Sequence, residues 1–434
     1  MLKKIAVDIS PLRNYPDFRR LWSSGLISYF GSMITYVALP FQIKELTNSY
    51  IAVGLMGAVE LIPLIVFGLY GGVLADRVDR RKMILITEFA LMVMTFSLFI
   101  NSQMAKPSLI WIYIVAGSFA ALDGLQRPSA DAILPRLVGH DDLPSASALM
   151  SLRWQTGVIT GPALAGILLA TTGIGTAYLV DVVTFAISLL FLLRVKSVKP
   201  LTKESAVQAS AMSSMIEGIK YATSRKDLLG TYLVDLAAMF FAMPNALFPF
   251  WADQLNATWA LGLFYAAGTI GSVLVTLTSG WIKNYHHHGR AVFVAALGWG
   301  AAITLAGFSH SLFFILFFLA LAGASDMVSA LFRGAIWNQS IPDELRGRLA
   351  GIELLSYSVG PLGGQMRAGT FAAVTNLRTS VISGGLLCIG FVSIAATSLP
   401  KFRKYDAQTN EFAVEQRKIR AENAKSAKNS DSDQ

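Results

Sequence analysis

Apolar residues along this chain come in long runs rather than in alternation. Stretches near 21–43, 51–75, 83–101, 108–127, 144–171 and 175–194 are interrupted only by short polar segments. After a polar gap they resume near 228–250, 257–282, 291–308, 311–336, 349–373 and 378–399. Runs of about 18–25 residues match the length at which an α-helix crosses a hydrocarbon core about 30 Å thick. Strands of a membrane barrel would alternate in polarity, which argues against a barrel. The pattern therefore predicts an all-α polytopic membrane protein with twelve transmembrane helices. Composition agrees: of 434 residues 54% are hydrophobic and only 15% charged, with a mean hydropathy of +0.53, whereas a soluble chain carries about 25% charge. The one cysteine, Cys388, lies in an apolar run, so neither a disulfide framework nor a thiolate metal cage is expected.

The same pattern sets the organisation. A basic N-terminal segment (1–20) precedes six spans (21–194), a polar connection (195–227), six more spans (228–399) and a polar tail (400–434). Residues 1–20 lack the apolar core and cleavage site of a signal peptide, so the first helix is expected to stay in the mature protein. Thirty of the 36 Lys and Arg fall in the segments on the side of the termini; only Lys44, Lys106 and Arg378 fall on the other, and Arg153, Arg333 and Arg367 lie inside spans. The positive-inside rule then puts both termini in the cytoplasm and the protein in the cytoplasmic membrane. The net charge of +9 is spread over many short loops, so no nucleic-acid partner is implied. Met212, Met215, Ile216 and Ile219 in the connection predict a short helix on the membrane surface. The tail, rich in Lys, Glu, Asn, Ser and Asp, is expected to be disordered beyond a fraying helix.

Features recur in order across the central connection. Asp17-Phe18 answers Asp227-Leu228, GGVLADRVDRRK answers SGWIKNYHHHGR, Leu134-Pro135 answers Ile341-Pro342, and Gly161-Pro162 answers Gly360-Pro361. Offsets of about 200–210 suggest duplication, and parallel six-helix repeats with a site between them are a transporter architecture. The loop after the second span reads Gly72-Val73-Leu74-Ala75-Asp76-Arg77-Val78-Asp79-Arg80-Arg81-Lys82. It resembles the loop signature G-x-L-A-D-R-x-[GD]-R-[RK] of the major facilitator superfamily. Gly72 would let a neighbouring helix approach closely, and Asp76, with Arg77 and Arg80, would form a latch at a helix end. The second copy has Lys283 and Asn284 where Asp would be expected.

In the fifth span, Gly157-Val158-Ile159-Thr160-Gly161-Pro162-Ala163-Leu164-Ala165-Gly166 is similar to the motif G-x-x-x-G-P-x-x-G-G of exporters in that superfamily, with Ala165 replacing one glycine. Gly157, Gly161 and Gly166 make a packing groove and Pro162 frees a carbonyl. The stretches Arg127-Pro128-Ser129-Ala130-Asp131, Tyr15-Pro16-Asp17-Phe18-Arg19 and Pro342-Asp343-Glu344-Leu345-Arg346 narrow the resemblance further. They are similar to the drug–proton antiporter branch that contains macrolide and multidrug efflux pumps and the enterobactin exporter. The resemblance implies two pseudo-symmetric six-helix bundles, a cavity lined by the first, fourth, seventh and tenth helices, and efflux. Two departures stand out: residues 21–43 contain no Asp or Glu, and the only arginine near the fourth span, Arg127, falls at its predicted end.

An ionised side chain near mid-membrane costs about 2.5–3.5 kcal/mol on insertion scales, so each is a functional candidate. Glu60 lies nine residues into the second span, roughly 13 Å deep. It and Asp235, in the seventh span, are the candidates for proton coupling, with packing by a paired carboxylate as the alternative. Asp181 reads as structural. Asp123 with Arg127 and Asp326 with Arg333 are spaced to form gate pairs, static pairs or substrate contacts. Arg153 is expected to be a counter-ion for Glu60 or for an anionic substrate. Phe240, Phe241, Phe248, Phe250 and Trp251 read as lipid-facing more readily than as ligand contacts. His286-His287-His288 lies in a short loop, and no metal site is expected from it.

These observations predict a secondary exporter of a small amphipathic molecule, of drug, antibiotic or siderophore class, driven by protons and working as a monomer in the bilayer. No phosphate-binding G-x-x-x-x-G-K-[ST] loop occurs, so ATP is not expected as the direct energy source and no cofactor is implied. The alternatives are a proton-coupled importer or facilitator of a small metabolite, and a carrier-like sensor that does not transport. A membrane enzyme is disfavoured because the spans hold essentially no histidine.

Overall fold

The computed structural model describes residues 8–75, 77–198, 220–221 and 223–432. Asp76 and the Met212–Ile219 segment, the site of the predicted surface helix, lie outside the described residues. The membrane helices are α1 (Pro16–Thr47), α2 (Tyr50–Ala75), α3 (Arg80–Gln103), α4 (Leu109–Leu137), α5 (Leu143–Thr171) and α6 (Ile174–Leu192), then α7 (Lys226–Gln254), α8 (Leu261–Leu277), α9 (His288–Phe308), α10 (Leu312–Ser340), α11 (Asp343–Val374) and α12 (Leu377–Ser398). Among the described residues ten of these are long and apolar enough to cross a membrane by themselves. The other two, α5 and α11, are equivalent helices of the two halves. Each carries a Gly-Pro pair, and each runs along the seam between the halves. With 29 and 32 residues both are long enough to span.

The pairing of helices repeats with a shift of six. In the first half α1 packs on α5 and α6, α2 on α4, and α3 on α4 and α6. In the second half α7 packs on α11 and α12, α8 on α10, and α9 on α10 and α12. The halves meet along α2–α11 and α5–α8, two seams that exchange under the same shift. This is the duplicated two-bundle architecture that the ordered motifs implied.

Local chemistry sets the turns. Asn48, at φ 45°, caps α1 and lets α2 start two residues later. Gly173, at φ 88°, joins α5 to α6 in the left-handed region that glycine enters without a Cβ penalty. Ser108 and Asn376 cap α4 and α12 by accepting the amides of Trp111 and Thr379. α7 is broken: its helix stops at Ala242, a 3₁₀ turn covers Asn245–Leu247, and a second helix runs Phe248–Gln254. Pro244 and Pro249 explain the break, because neither offers an amide to the helical ladder.

Three expectations change. α4 runs ten residues beyond Arg127, through Pro128 and Pro135, so Arg127 and Asp131 lie inside a helix rather than in a loop. Phe248, Phe250 and Trp251 are buried rather than lipid-facing. The tail is docked, not disordered, through its first part: Phe402, Tyr405 and Ala413 are buried against the second bundle, and α13 (Glu411–Ser432) follows. Its anchors explain why a polar composition misled. Phe402 fills the space over Gly230 and Gly289, and the amides of Gly289 and Ala407 donate to the carbonyls of Tyr405 and His286.

Candidate functional site

The two bundles close on each other at the end away from the termini. Lys44 of α1 bridges to Asp253 of α7 at 3.1 Å and to Glu45 at 2.8 Å. The side-chain amide of Asn245 donates to the Tyr36 hydroxyl at 3.3 Å, and the Tyr265 hydroxyl donates to the Asn245 carbonyl at 3.2 Å. Tyr36 meets Tyr265 edge-on at 5.6 Å, and Tyr50 packs on Phe250 at 4.3 Å. The break in α7 makes this possible, since it turns Asn245 and the Phe248–Gln254 helix across the first bundle. Trp251 and Phe248 both lean on Phe264 and so fix that helix from behind.

The seams are tightest in the same half. A Cβ on Gly166 would lie 2.7 Å from the Gly262 nitrogen and 2.8 Å from the Trp259 carbonyl, and one on Gly54 only 3.0 Å from the Gln365 carbonyl. Two of the motif glycines, Gly157 and Gly161, face α1 at Tyr29, Phe30 and Met33 instead. The exporter-like motif thus packs one helix against its own bundle and, through Pro162 and Gly166, against the other. Toward the termini the seam parts: Trp154 of α5 is 51% exposed and Leu274 of α8 is 59% exposed.

A cavity of about 490 Å³ lies in the first bundle among α1, α3, α4, α5 and α6, within the usual size of small-molecule sites. Glu88, Asp123, Asp131, Arg127 and Arg153 line it beside Tyr29, Phe119 and Trp154. Glu88 is buried and fully accepted: Ser28 donates at 3.0 Å, Gln126 at 3.3 Å and Ser188 at 2.9 Å. Arg153 sits in the field of Glu88, Tyr29 and Asp131. Its guanidinium occupies the space that any side chain at residue 25 would need, so Gly25 makes room for the charge. Opposed charges with hydroxyl partners are how such groups are held in a low-dielectric interior.

Arg153 thus lies in the field of Glu88 and Asp131 and not in that of Glu60, the partner expected for it. Glu88 lies five residues into the predicted third span, where by sequence it resembles a boundary residue. α3 begins at Arg80, which puts Glu88 about 12 Å deep, so depth was the available signal. Glu60, near Tyr36 in α2, has neither a hydrogen bond nor an ion pair among the described residues. Asp181 accepts the hydroxyls of Thr35, Thr95 and Thr184 and ties α6 to α1 and α3, a structural knot.

In the second bundle Arg333 pairs with Asp235 across α10 and α7 and reaches Asp326 at 3.8 Å. The structure thus brings the predicted Asp326–Arg333 pair together and makes the seventh-span Asp235 the nearer partner. Asp123 and Arg127 share the cavity wall.

The latch loop is anchored at residues other than those expected. A Cβ on Gly72 would meet nothing within 4 Å, whereas Gly71 lies against the backbone of Gly124 and Leu125. Asp79 caps α3, accepting the amides of Arg81 at 2.9 Å and Lys82 at 3.3 Å, the Val198 amide at 3.4 Å and the Ser197 hydroxyl. Burial would raise its carboxyl, but the Ser197 hydroxyl and these three amides outweigh it and hold it below the usual carboxylate range. Arg80 donates to the Ala132 carbonyl at 2.9 Å, and Arg81 to the carbonyls of Leu192 at 3.1 Å and Leu193 at 2.6 Å. The Arg81 contacts put a cation on the carbonyl end of α6. Arg77 is exposed. In the second half His287 pairs with Asp406 at 2.8 Å, while His288 packs on Phe332 and Tyr405, so the histidine run receives the tail. Among the described residues no cluster of metal-binding side chains occurs.

Twelve helices in two six-helix bundles, parted at one face and closed at the other around buried charges, define a membrane transporter of the major facilitator fold, not an enzyme. The chain belongs to the family described as transmembrane secretion effector, whose sequence profile matches residues 6–425. The enterobactin exporter EntS of Escherichia coli O1:K1 / APEC is 28% identical over 409 residues, 93% of this chain and 97% of its own. EntS of Shigella boydii serotype 18 (strain CDC 3083-94 / BS512) is 29% identical over the same shares. The fold is shared with the solved nucleoside transporter NupG, at TM-score 0.70, 12% identity and coverage of 90% of this chain and 99% of that one. It is also shared with an inward-facing, unoccupied bacterial homologue of the human lysosomal transporter Spinster, at TM-score 0.70, 14% identity and coverage of 91% and 99%.

Proposed function

We propose that this transporter exports a small amphipathic molecule, of drug, antibiotic or siderophore class, across the cytoplasmic membrane by proton antiport with alternating access. Its termini lie in the cytoplasm and it works as a monomer. The observation that carries the reading is the pairing of a far-end gate with buried carboxylates in two states. Among the described residues Glu60 stands without a partner beside the gate residue Tyr36, while Asp235 is held by Arg333. With the termini inside, the parted face is cytoplasmic, so a substrate loads at the cavity bearing Glu88, Asp123 and Arg153 from the cytoplasm. A proton arriving from outside neutralises Glu60 or Asp235. At Asp235 this removes the charge that Arg333 answers, so Arg333 swings its remaining attraction to Asp326, and the contact between α7 and α10 weakens. The relatives named as enterobactin exporters support the outward direction.

The test is uptake of dyes, antibiotics and siderophores into inverted membrane vesicles with an acid interior, with and without an uncoupler. Wild type, Glu60→Gln, Asp235→Asn and Glu88→Gln are compared. Uncoupler-sensitive accumulation that is lost in Glu60→Gln or Asp235→Asn is expected. Glu88→Gln is expected to keep proton dependence while raising the half-saturating substrate concentration. Accumulation driven only by the opposite gradient would point to an importer and overturn the reading.

A further inference from the structure

Arg367, seven residues before the end of α11, is not used by the exchange just described. Among the described residues it has no hydrogen bond or ion pair, and its Nε is buried without a partner. The guanidinium lies against Gly384 of α12, where any Cβ would stand 2.7 Å from Nη2. Beside it, between α7 and α11, opens a cleft of about 360 Å³ that includes Phe240, Met366, Thr370 and Phe371. Its rim faces out of the bundle: Met366 is 45% exposed and Val374, at the helix end, 73%. At 1.5 Å per residue the arginine is about 10 Å below the end of α11.

A cation in hydrocarbon is tolerated when it reaches a partner, and this one finds none among the described residues. An apolar trough of this volume next to an unanswered positive charge is complementary to an acyl chain joined to an anionic head. A head drawn inward over a locally thinned leaflet, and a side chain reaching outward, together span that depth. We infer that the α7–α11 cleft is a binding site for an anionic membrane phospholipid, its phosphodiester on Arg367 and one acyl chain along Phe240, Met366 and Phe371. A lipid seated there braces α11, the helix whose other face forms the α2 seam at Gly54 and Gly57.

The full-length protein is reconstituted in mixed phosphatidylglycerol and phosphatidylcholine bilayers carrying trace spin-labelled forms of each lipid. The motion-restricted fraction is read by electron spin resonance. Wild type is expected to hold phosphatidylglycerol several-fold over phosphatidylcholine. Arg367→Gln should bring the ratio to about one, and Arg367→Lys should retain part of it. Val374→Trp, which fills the cleft mouth at an exposed position and leaves the charge, should also lower the ratio and guards against a variant that fails to fold. A ratio near one in wild type, or a preference that survives Arg367→Gln, overturns the inference. So does displacement of the lipid by a compound transported in the vesicle assay, which would assign the cleft to substrate. The site can fail while transport persists, so the two readings fall separately.

Discussion

Gly262→Ala should drive the protein out of the conformation described above. The α8 backbone at Gly262 lies on α5, and a Cβ there would overlap the Pro162 carbonyl oxygen and stand 2.9 Å from Ala163 Cα. Both are backbone atoms, so no side-chain rotation relieves the clash and the two bundles must separate. Overpacking of this kind costs about 1–3 kcal/mol. The penalty applies only where the far end is closed, because the seam is the contact that rocking opens. It therefore converts into a population shift of roughly 5–150-fold toward the state open at that end. The assay uses the single native cysteine to advantage: in a Cys388→Ser background, Ala246→Cys places a thiol in the closed gate, where residue 246 is 2% exposed. Its labelling by a membrane-impermeant maleimide from the side opposite the termini should rise by that factor when Gly262→Ala is added. Gly280→Ala is the control, since a Cβ there meets nothing within 4 Å. Equal labelling with and without Gly262→Ala, in folded protein, would refute the wedge argument.

Asp79→Asn removes a charged cap of α3 and should cost about 1 kcal/mol, read as a lower thermal midpoint in detergent. The pH dependence has a definite sign: the folded carboxyl is held below its unfolded value by Ser197 and the amides. Its contribution is full above the unfolded value, near pH 4, and is lost as pH falls through the folded one, so wild type and Asp79→Asn should converge in acid. Phe402→Ala empties a fully buried site over Gly230. It should cost about 3–5 kcal/mol and expose the tail to limited proteolysis near Tyr405; an uncut tail would count against docking.

The number and order of the helices were legible in the sequence because lipid imposes a one-dimensional rule. Each crossing must be apolar over a fixed length, with backbone groups satisfied within the helix. The duplication was legible through Gly161-Pro162 and Gly360-Pro361, since close helix contacts need small residues at set positions. Glu60 and Asp235 stood out by depth alone. What stayed hidden depends on which helix faces which. Arg153 could be placed in α5 but not beside Glu88, because that meeting needs α1, α3, α5 and α6 packed together, with Gly25 leaving room for the guanidinium. Phe248, Phe250 and Trp251 looked fit for lipid until the break in α7 turned them into the gate. The polar tail looked free because a few buried side chains weigh little in its composition. Hydropathy along the chain determined what crosses the bilayer; the rotation of each helix about its axis, set by packing between segments far apart in sequence, decided which charges meet and which end is shut.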